Sequence, residues 1–156
     1  MPDAVSIKLH PPLSFIHSQA RAFRRELENL SPLWDRFSDE LVEIDQERFD
    51  TRGYGEWPAL AASTLAQKAA HGFPLDPMIR TRALIESLTN EGQAATKGPK
   101  QFIWGTSVEY AAYHQAGTDR MPQRKVLEIR TEDRRRLEHE MVSWLNESAA
   151  KTWGRI

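Results

Sequence analysis

Apolar residues in this chain recur at two different periods, and the switches between them mark its elements. Val5–Leu9 alternates Val, Ser, Ile, Lys, Leu. That is the period of two expected of a half-buried strand, and Pro11-Pro12 closes it. From Ile16 the spacing becomes four and three. Ile16, Ala20, Phe23, Leu27, Leu30, Trp34, Phe37, Leu41 and Ile44 fall on one helical face, with acids and arginines opposite. Pro32 removes a backbone donor and crowds the carbonyl of Glu28, although Ser31-Pro32 also fits a fresh N-cap and first helical position. Because the stripe keeps its phase across Pro32, the pattern favours one kinked helix, or two near-collinear ones, over an antiparallel pair. A coiled coil would show the same spacing. A single long helix lying on a sheet explains it too and suits the strand signals elsewhere.

Beyond this stripe the elements are shorter. Asp50–Pro58 (DTRGYGEWP) is turn-rich and ends the helix. Ala59–Ala70 reads as a short helix stopping at Gly72, and Thr81–Leu88 as another leading into a strand. Asn90–Lys100 reads as a mobile loop or hairpin tip. Gln101–Thr106, with Phe102, Ile103 and Trp104, reads as a strand. Glu109–Ala116 is a helix closed by Gly117, and Val126–Ile129 is a candidate strand. Thr131 is placed to cap a last helix that carries Glu132 and Asp133 in its first turn, with Leu137, Met141, Trp144 and Leu145 on its apolar face. The expected class is α+β: a long N-terminal helix and shorter helices packed on a small, mostly antiparallel sheet, in a single domain of 156 residues.

Composition narrows the function classes. With no cysteine, disulfides and thiolate metal sites are excluded. No apolar run approaches the ~20 residues that span a bilayer, and the N-terminus lacks a basic n-region followed by an apolar block, so neither a membrane nor a signal peptide is expected. The net charge of −1 conceals a separation. Glu26–Asp50 holds nine acids against Arg36 and Arg48, whereas Arg120–Arg136 holds seven bases against Glu128, Glu132 and Asp133. Such patches steer association, or they are simply solvated faces.

Catalytic chemistry is hard to assemble. None of His10, His17, His71, His114 and His139 sits at a metal-motif spacing, and His139-Glu140 lacks the second histidine of HExxH. Gly53 and Gly55 do not make a dinucleotide fingerprint or a P-loop, and there is no GxSxG elbow. Glu109 and His114 diverge by roughly 140° around a helix, so one helix does not bring them to one site. His114 reads as a packed imidazole, and a hydrolase centred on it would lack a nucleophile, a metal set and an oxyanion motif. No catalytic residue, metal or cofactor is expected. Trp34, Phe37, Phe49, Trp57, Phe102, Trp104 and Trp144 read as core anchors rather than base-stacking platforms. The basic 120–136 region is compatible with a nucleic-acid-binding or regulatory module, though a pI near 6.5 is unlike a dedicated DNA binder.

The stretch GTSVEYAAYHQAGT followed by MPQRKVLEI resembles the phage virion morphogenesis family, the small neck and tail-completion proteins of Mu-like and related tailed phages. The matching positions are Gly105, Thr106, Tyr110, Ala111, His114, Gln115, Gly117, Pro122, Arg124 and Leu127. Upstream and in the same order, Arg48-Phe49, Trp57, Leu60, Thr64 and Lys68 resemble its RF…W-x-x-L-x-x-x-T-x-x-x-K, and Thr81, Leu84, Ser87 and Leu88 its T-G-x-L-x-x-S-L. Arg82 stands where that family has Gly, and Lys125-Val126 where it has Pro and Phe. The resemblance runs from about Arg48 to Leu127 and does not cover the C-terminal helix Thr131–Lys151.

It implies a non-enzymatic structural subunit of a tailed-phage virion, assembled in the host cytoplasm as a ring of identical copies at the head–tail junction. Its partners would be itself and neck, connector or tail-tube proteins, with phage DNA passing transiently. A ring joins one patch to a different patch on the next copy, and the acidic helix face and the basic 120–136 region are candidates for that pair. Arg120, Arg124, Lys125 and Arg130 are the interface candidates, and Tyr110, His114, Gln115, Gly117 and Pro122 the anchors of the loop that presents them. On this expectation Arg124→Glu weakens assembly without unfolding the subunit, and salt weakens assembly as well.

Overall fold

The computed structural model describes residues 13–154. The strand expected at Val5–Leu9 lies outside them. The order of elements is α1 (Leu13–Glu26), α2 (Ser31–Asp50), α3 (Ala62–Ala70), α4 (Ala83–Thr89), α5 (Glu91–Ala94), β1 (Ala95–Gly98), β2 (Gln101–Trp104), α6 (Ala111–Ala116) and α7 (Thr131–Trp153). The class is α+β, with β1 and β2 forming a two-stranded antiparallel hairpin in the register Ala95↔Trp104 to Gly98↔Gln101.

Of one kinked helix or two, the long N-terminal stripe resolves into two. The break falls at Leu27–Leu30, where Asn29 Oδ1 accepts from both the backbone N–H and the hydroxyl of Ser31 (3.1 and 2.7 Å), and Pro32 enters the first turn of α2. That Asn side chain takes the capping role, and proline suits a first turn because its missing N–H would have no partner there. α1 then packs on α7.

α2 is the centre of the molecule. Leu33, Leu41, Ile44 and Phe49 are buried along it, and it packs against α4, the hairpin and α7. Its neighbour α7 runs antiparallel to it: Arg36 near the start of α2 meets Glu147 (2.6 Å) and Glu140 (3.6 Å). Arg136 near the start of α7 meets Glu40, Glu43 and Glu47 at 2.6, 2.9 and 3.5 Å. Arg136 thus joins the basic region to part of the acidic face within one chain.

Two clusters fix the rest. One holds Phe49, Trp57, Leu84, Ile85, Leu88, Ala111 and Val126 at the C-terminal end of α2. In the other, Trp34 stacks on Phe102 (5.6 Å between centroids) and donates Nε1–H to the carbonyl of Gly98 (2.9 Å), clipping the hairpin to α2. The seven aromatics serve packing, with Phe49, Trp57 and Trp144 buried.

Three expectations need correction. Asn90–Lys100 is not a loop throughout: it carries α5, β1 and the hairpin turn. Val126–Ile129 forms no strand. The backbone groups of Val126 and Leu127 and the carbonyl of Glu128 bond to side chains instead, as described below, which takes most of the ladder positions from a strand partner. Finally, the N-cap of α7 is Arg130 rather than Thr131, and Asp133 Oδ2 accepts the Arg130 N–H (2.8 Å). Arg82, where glycine was expected, keeps the tight turn by adopting φ +65° itself. A non-glycine side chain bears that conformation at a cost of roughly 1–2 kcal/mol.

Candidate functional site: the loop from Gly117 to Arg130

Beyond its exposed tip this loop is tied down from α6, α2 and the stretch before α3. Gly117 ends α6 with φ +73° and ψ 169°, and a Cβ there would lie 2.9 Å from the backbone nitrogen of Gln123. Only glycine tolerates both the conformation and the close approach. Gly117→Ala is expected to lose roughly 1–3 kcal/mol of stability, read as a lower urea midpoint at unchanged slope. An unchanged midpoint would show that the loop shifts freely.

Beyond Gly117 the chain turns back on itself: Thr118 and Met121 exchange two backbone bonds of 2.8 and 3.1 Å, leaving Asp119 and Arg120 exposed at the tip. Arg124 then donates its backbone N–H to the carbonyl of His114 (2.8 Å). Its guanidinium donates from Nε to the carbonyl of Pro58 (2.9 Å) and from Nη2 to that of Ala59 (3.0 Å). Trp57 Nε1–H donates to the carbonyl of Lys125 (3.1 Å). Trp57 is itself seated by a turn in which Arg52, Gly53, Tyr54 and Gly55 all have positive φ, and a Cβ on Gly53 would strike the indole at 2.3 Å.

Gln115 grips the next residues with both ends of its amide. Its Oε1 accepts the N–H groups of Val126 (2.8 Å) and Leu127 (2.9 Å), and its Nε2 donates to the Leu127 carbonyl (2.8 Å). From the other side Arg48 donates to the carbonyls of Val126 (2.8 Å) and Glu128. Thus Lys125-Val126, the departure from the family pattern, is still a fixed point: Val126 is buried in the core.

Under the loop lies a buried charge cluster. Arg48, 2% exposed, lies 3.3 Å from Asp45 and 3.7 Å from Asp133, both also buried. Trp104 Nε1–H donates to Asp45 Oδ2 (2.8 Å). Burial pushes the Asp45 carboxyl up to about 6, against the pull of the Trp104 bond and Arg48, with the charge of Asp133 adding to the rise.

The candidate residues therefore divide. Gln115 ties the loop down through its side-chain amide and Gly117 through its left-handed backbone and close approach to Gln123. His114 anchors it through its backbone carbonyl. Its imidazole is held below the ordinary histidine range by burial and by the charge of Arg124, and its Nδ1 is buried without a hydrogen-bond partner. Tyr110 is exposed, with its ring edge-on to His114 (centroids 6.1 Å apart), and Pro122 is exposed too. Neither side chain ties the loop. Of the interface candidates Arg120 is exposed at the tip and makes no ion pair among the described residues. Lys125 pairs with Glu128, and Arg130 lies 3.8 Å from Glu56 and 4.3 Å above the Tyr54 ring. Arg124 is a correction: it is 4% exposed and holds the loop to residues 58–59.

Sequence reasoning did not single out Asp45, Arg48 and Asp133 as a cluster, although Arg48 appeared in the resemblance. The available signal was phase: Leu41, Ile44, Asp45 and Arg48 follow the apolar spacing, so two charges fall on the buried face. Lys68 was missed in the same way. Its ammonium donates to the carbonyls of Pro74 (2.7 Å), Asp76 (2.6 Å) and Ile79 (2.6 Å).

A scan against family models matches the phage virion morphogenesis family over residues 14–146. This span takes in α1, α2 and most of α7, well beyond the 48–127 region of the resemblance. Searches of curated proteins and of solved structures find no match. The chain belongs to the phage virion morphogenesis family, and its role lies in building the virion.

Proposed function

We propose that this member of the family is a non-enzymatic structural subunit that assembles with its own copies into a ring at the head–tail junction, as a neck, tail-completion or tail-terminator protein. It would be made in the host cytoplasm and retained in the virion, touching connector, neck or tail-tube proteins as DNA passes. The family match across residues 14–146 carries this reading.

Unfinished burial in the single chain supports it. α1 has a regular apolar stripe, yet no residue of it is buried, and Leu13, Phe15 and Ile16 are 67%, 40% and 36% exposed. Met141 and Val142 on α7 are exposed as well. Apolar surface of this kind suits contact with neighbouring subunits. Among the described residues no helix is long and apolar enough to cross a membrane.

The pairing of an acidic α2 face with a basic 120–136 region on the next copy is not supported, because Arg136 spends Glu40, Glu43 and Glu47 within the chain. The nucleic-acid reading weakens for the same reason. With Arg124 buried, Lys125 and Arg136 paired and Arg130 near Glu56, only Arg120, Arg134 and Arg135 of that region are both exposed and without an acidic partner among the described residues. Phosphate binding depends on a larger set of available cations.

Two observations test the role. Negative-stain images of the protein, purified and in virions, should show a ring with a central channel. Phage lacking the gene should accumulate heads and tails that do not join. Infectious virions at normal yield without the protein would sink the proposal.

A further inference from the structure

A second feature of the loop faces away from the core. Between α3, residues 73–81, α6 and the tip at 120–124 lies a cavity of about 800 Å³, within the ~300–1,000 Å³ range of specific binding sites. Its floor is apolar, with Leu60, Phe73, Met78 and Met121 among the lining residues. Around it stand four cations, Lys68, Arg80, Arg120 and Arg124, and among the described residues no carboxylate lines it. His114 also lines it, with its Nδ1 shielded from solvent. A concave, largely apolar site with converging charge of one sign is the kind of place a ligand fills.

The four cations have different roles. Lys68 has spent all three protons on backbone carbonyls, so it adds only field. Arg124 keeps N–H groups beyond the two it gives to Pro58 and Ala59. Burial alone pulls it below its ordinary range, with no carboxylate offsetting the loss of water. Arg80 lies 4.8 Å from the centre of the Phe73 ring, and Arg120 makes no ion pair among the described residues. We propose that this cavity docks a short acidic peptide segment of another virion protein, its carboxylates meeting Arg80, Arg120 and Arg124 and its leucine- or phenylalanine-type side chains seated on the apolar floor. That the segment belongs to another virion protein rests on the role proposed above; the chemistry of the segment does not.

Two features select this occupant. A second copy has fewer acids to offer, because Glu40, Glu43, Glu47, Glu140 and Glu147 are held by Arg136 and Arg36 of their own chain. A nucleic acid would meet an apolar floor and only two exposed cations, where phosphate tracking calls for an extended row of them.

The experiment uses the full chain and two fluorescein-labelled hexapeptides, one alternating leucine with glutamate and the other leucine with lysine. Fluorescence anisotropy should show the acidic peptide binding at least tenfold more tightly, and less tightly as salt rises. The double variant R80E/R120E should lose at least tenfold of that affinity while melting at the wild-type temperature, and R80Q/R120Q should fall between. A single-stranded oligonucleotide should not displace the peptide. Equal binding of the two peptides, unchanged affinity in the double variant, displacement by the oligonucleotide, or loss of binding as the protein assembles into rings would each overturn the assignment. Imaging and gene loss test the role and this titration tests the cavity, so either can fail without the other.

Discussion

Arg48→Met leaves the chain about 3–5 kcal/mol less stable at neutral pH, the usual cost of removing one partner from a buried charge group. Total stabilities of single domains run at about 5–15 kcal/mol, so the loss is a large fraction of the whole. Methionine keeps most of the volume of the stem, so packing is not the main loss. What goes is the cation 3.3 Å from Asp45 and 3.7 Å from Asp133, together with the donors to the carbonyls of Val126 and Glu128. Two carboxylates then share a dry site. Urea denaturation measures the loss. A midpoint close to wild type would mean that water enters and replaces Arg48.

The variant should also respond to acid in a particular direction. In the native protein Asp45 titrates at about 6, above its ordinary 3.8. Between those values the folded state holds a proton that the unfolded chain has released, so this group's contribution to stability falls as pH rises through the window. Removing Arg48 takes away a charge that favours the ionised form and pushes the carboxyl higher still. Acidifying Arg48→Met from about pH 7.5 to about pH 5.5 should therefore recover part of the lost stability. Further destabilisation on acidification would show that Asp45 is not the burdened group. Adding Asp45→Asn to Arg48→Met should restore part of the midpoint, because the two effects share one site and do not add.

This cluster also marks the limit of what the amino-acid pattern revealed. The apolar stripe located α2, and Gly117 located the end of α6, because period and left-handed glycine are local properties. The hairpin at β2 was visible in Phe102, Ile103 and Trp104. The break at Leu27–Leu30 was half legible: Ser31-Pro32 marked a fresh helix start, but the stripe keeps phase across it, and Asn29 reaching Ser31 is not visible in the spacing. Val126–Ile129 has strand-like composition, but its backbone bonds go to Gln115 and Arg48, residues far apart in sequence. The same holds for the charges. Arg124 and Arg120 are four positions apart in one basic run, and nothing local says that one is buried and the other exposed. Their difference comes from Pro58 and Ala59, which the fold brings to Arg124 from the turn before α3. The cavity is invisible for the same reason, since its walls come from four separate stretches.

Arg124→Glu destabilises the subunit by at least ~3 kcal/mol and frees the 117–130 loop, instead of weakening assembly alone. The substitution leaves the carbonyls of Pro58 and Ala59 without donors, each costing roughly 1–3 kcal/mol, and aims a buried carboxylate at their oxygens. Arg120→Glu, at the exposed tip, should stay within ~0.5 kcal/mol of wild type. Thermal melts separate the two, and limited proteolysis should cut Arg124→Glu first within residues 117–130. Arg124→Lys should fall between, since an ammonium keeps the charge but lacks the planar fork that spans two carbonyls. A wild-type melt for Arg124→Glu would show that its bonds to Pro58 and Ala59 do not hold the loop. If instead it melts early, an assembly defect in that variant reports the fold, and only Arg120 and Arg80 variants report what the loop touches.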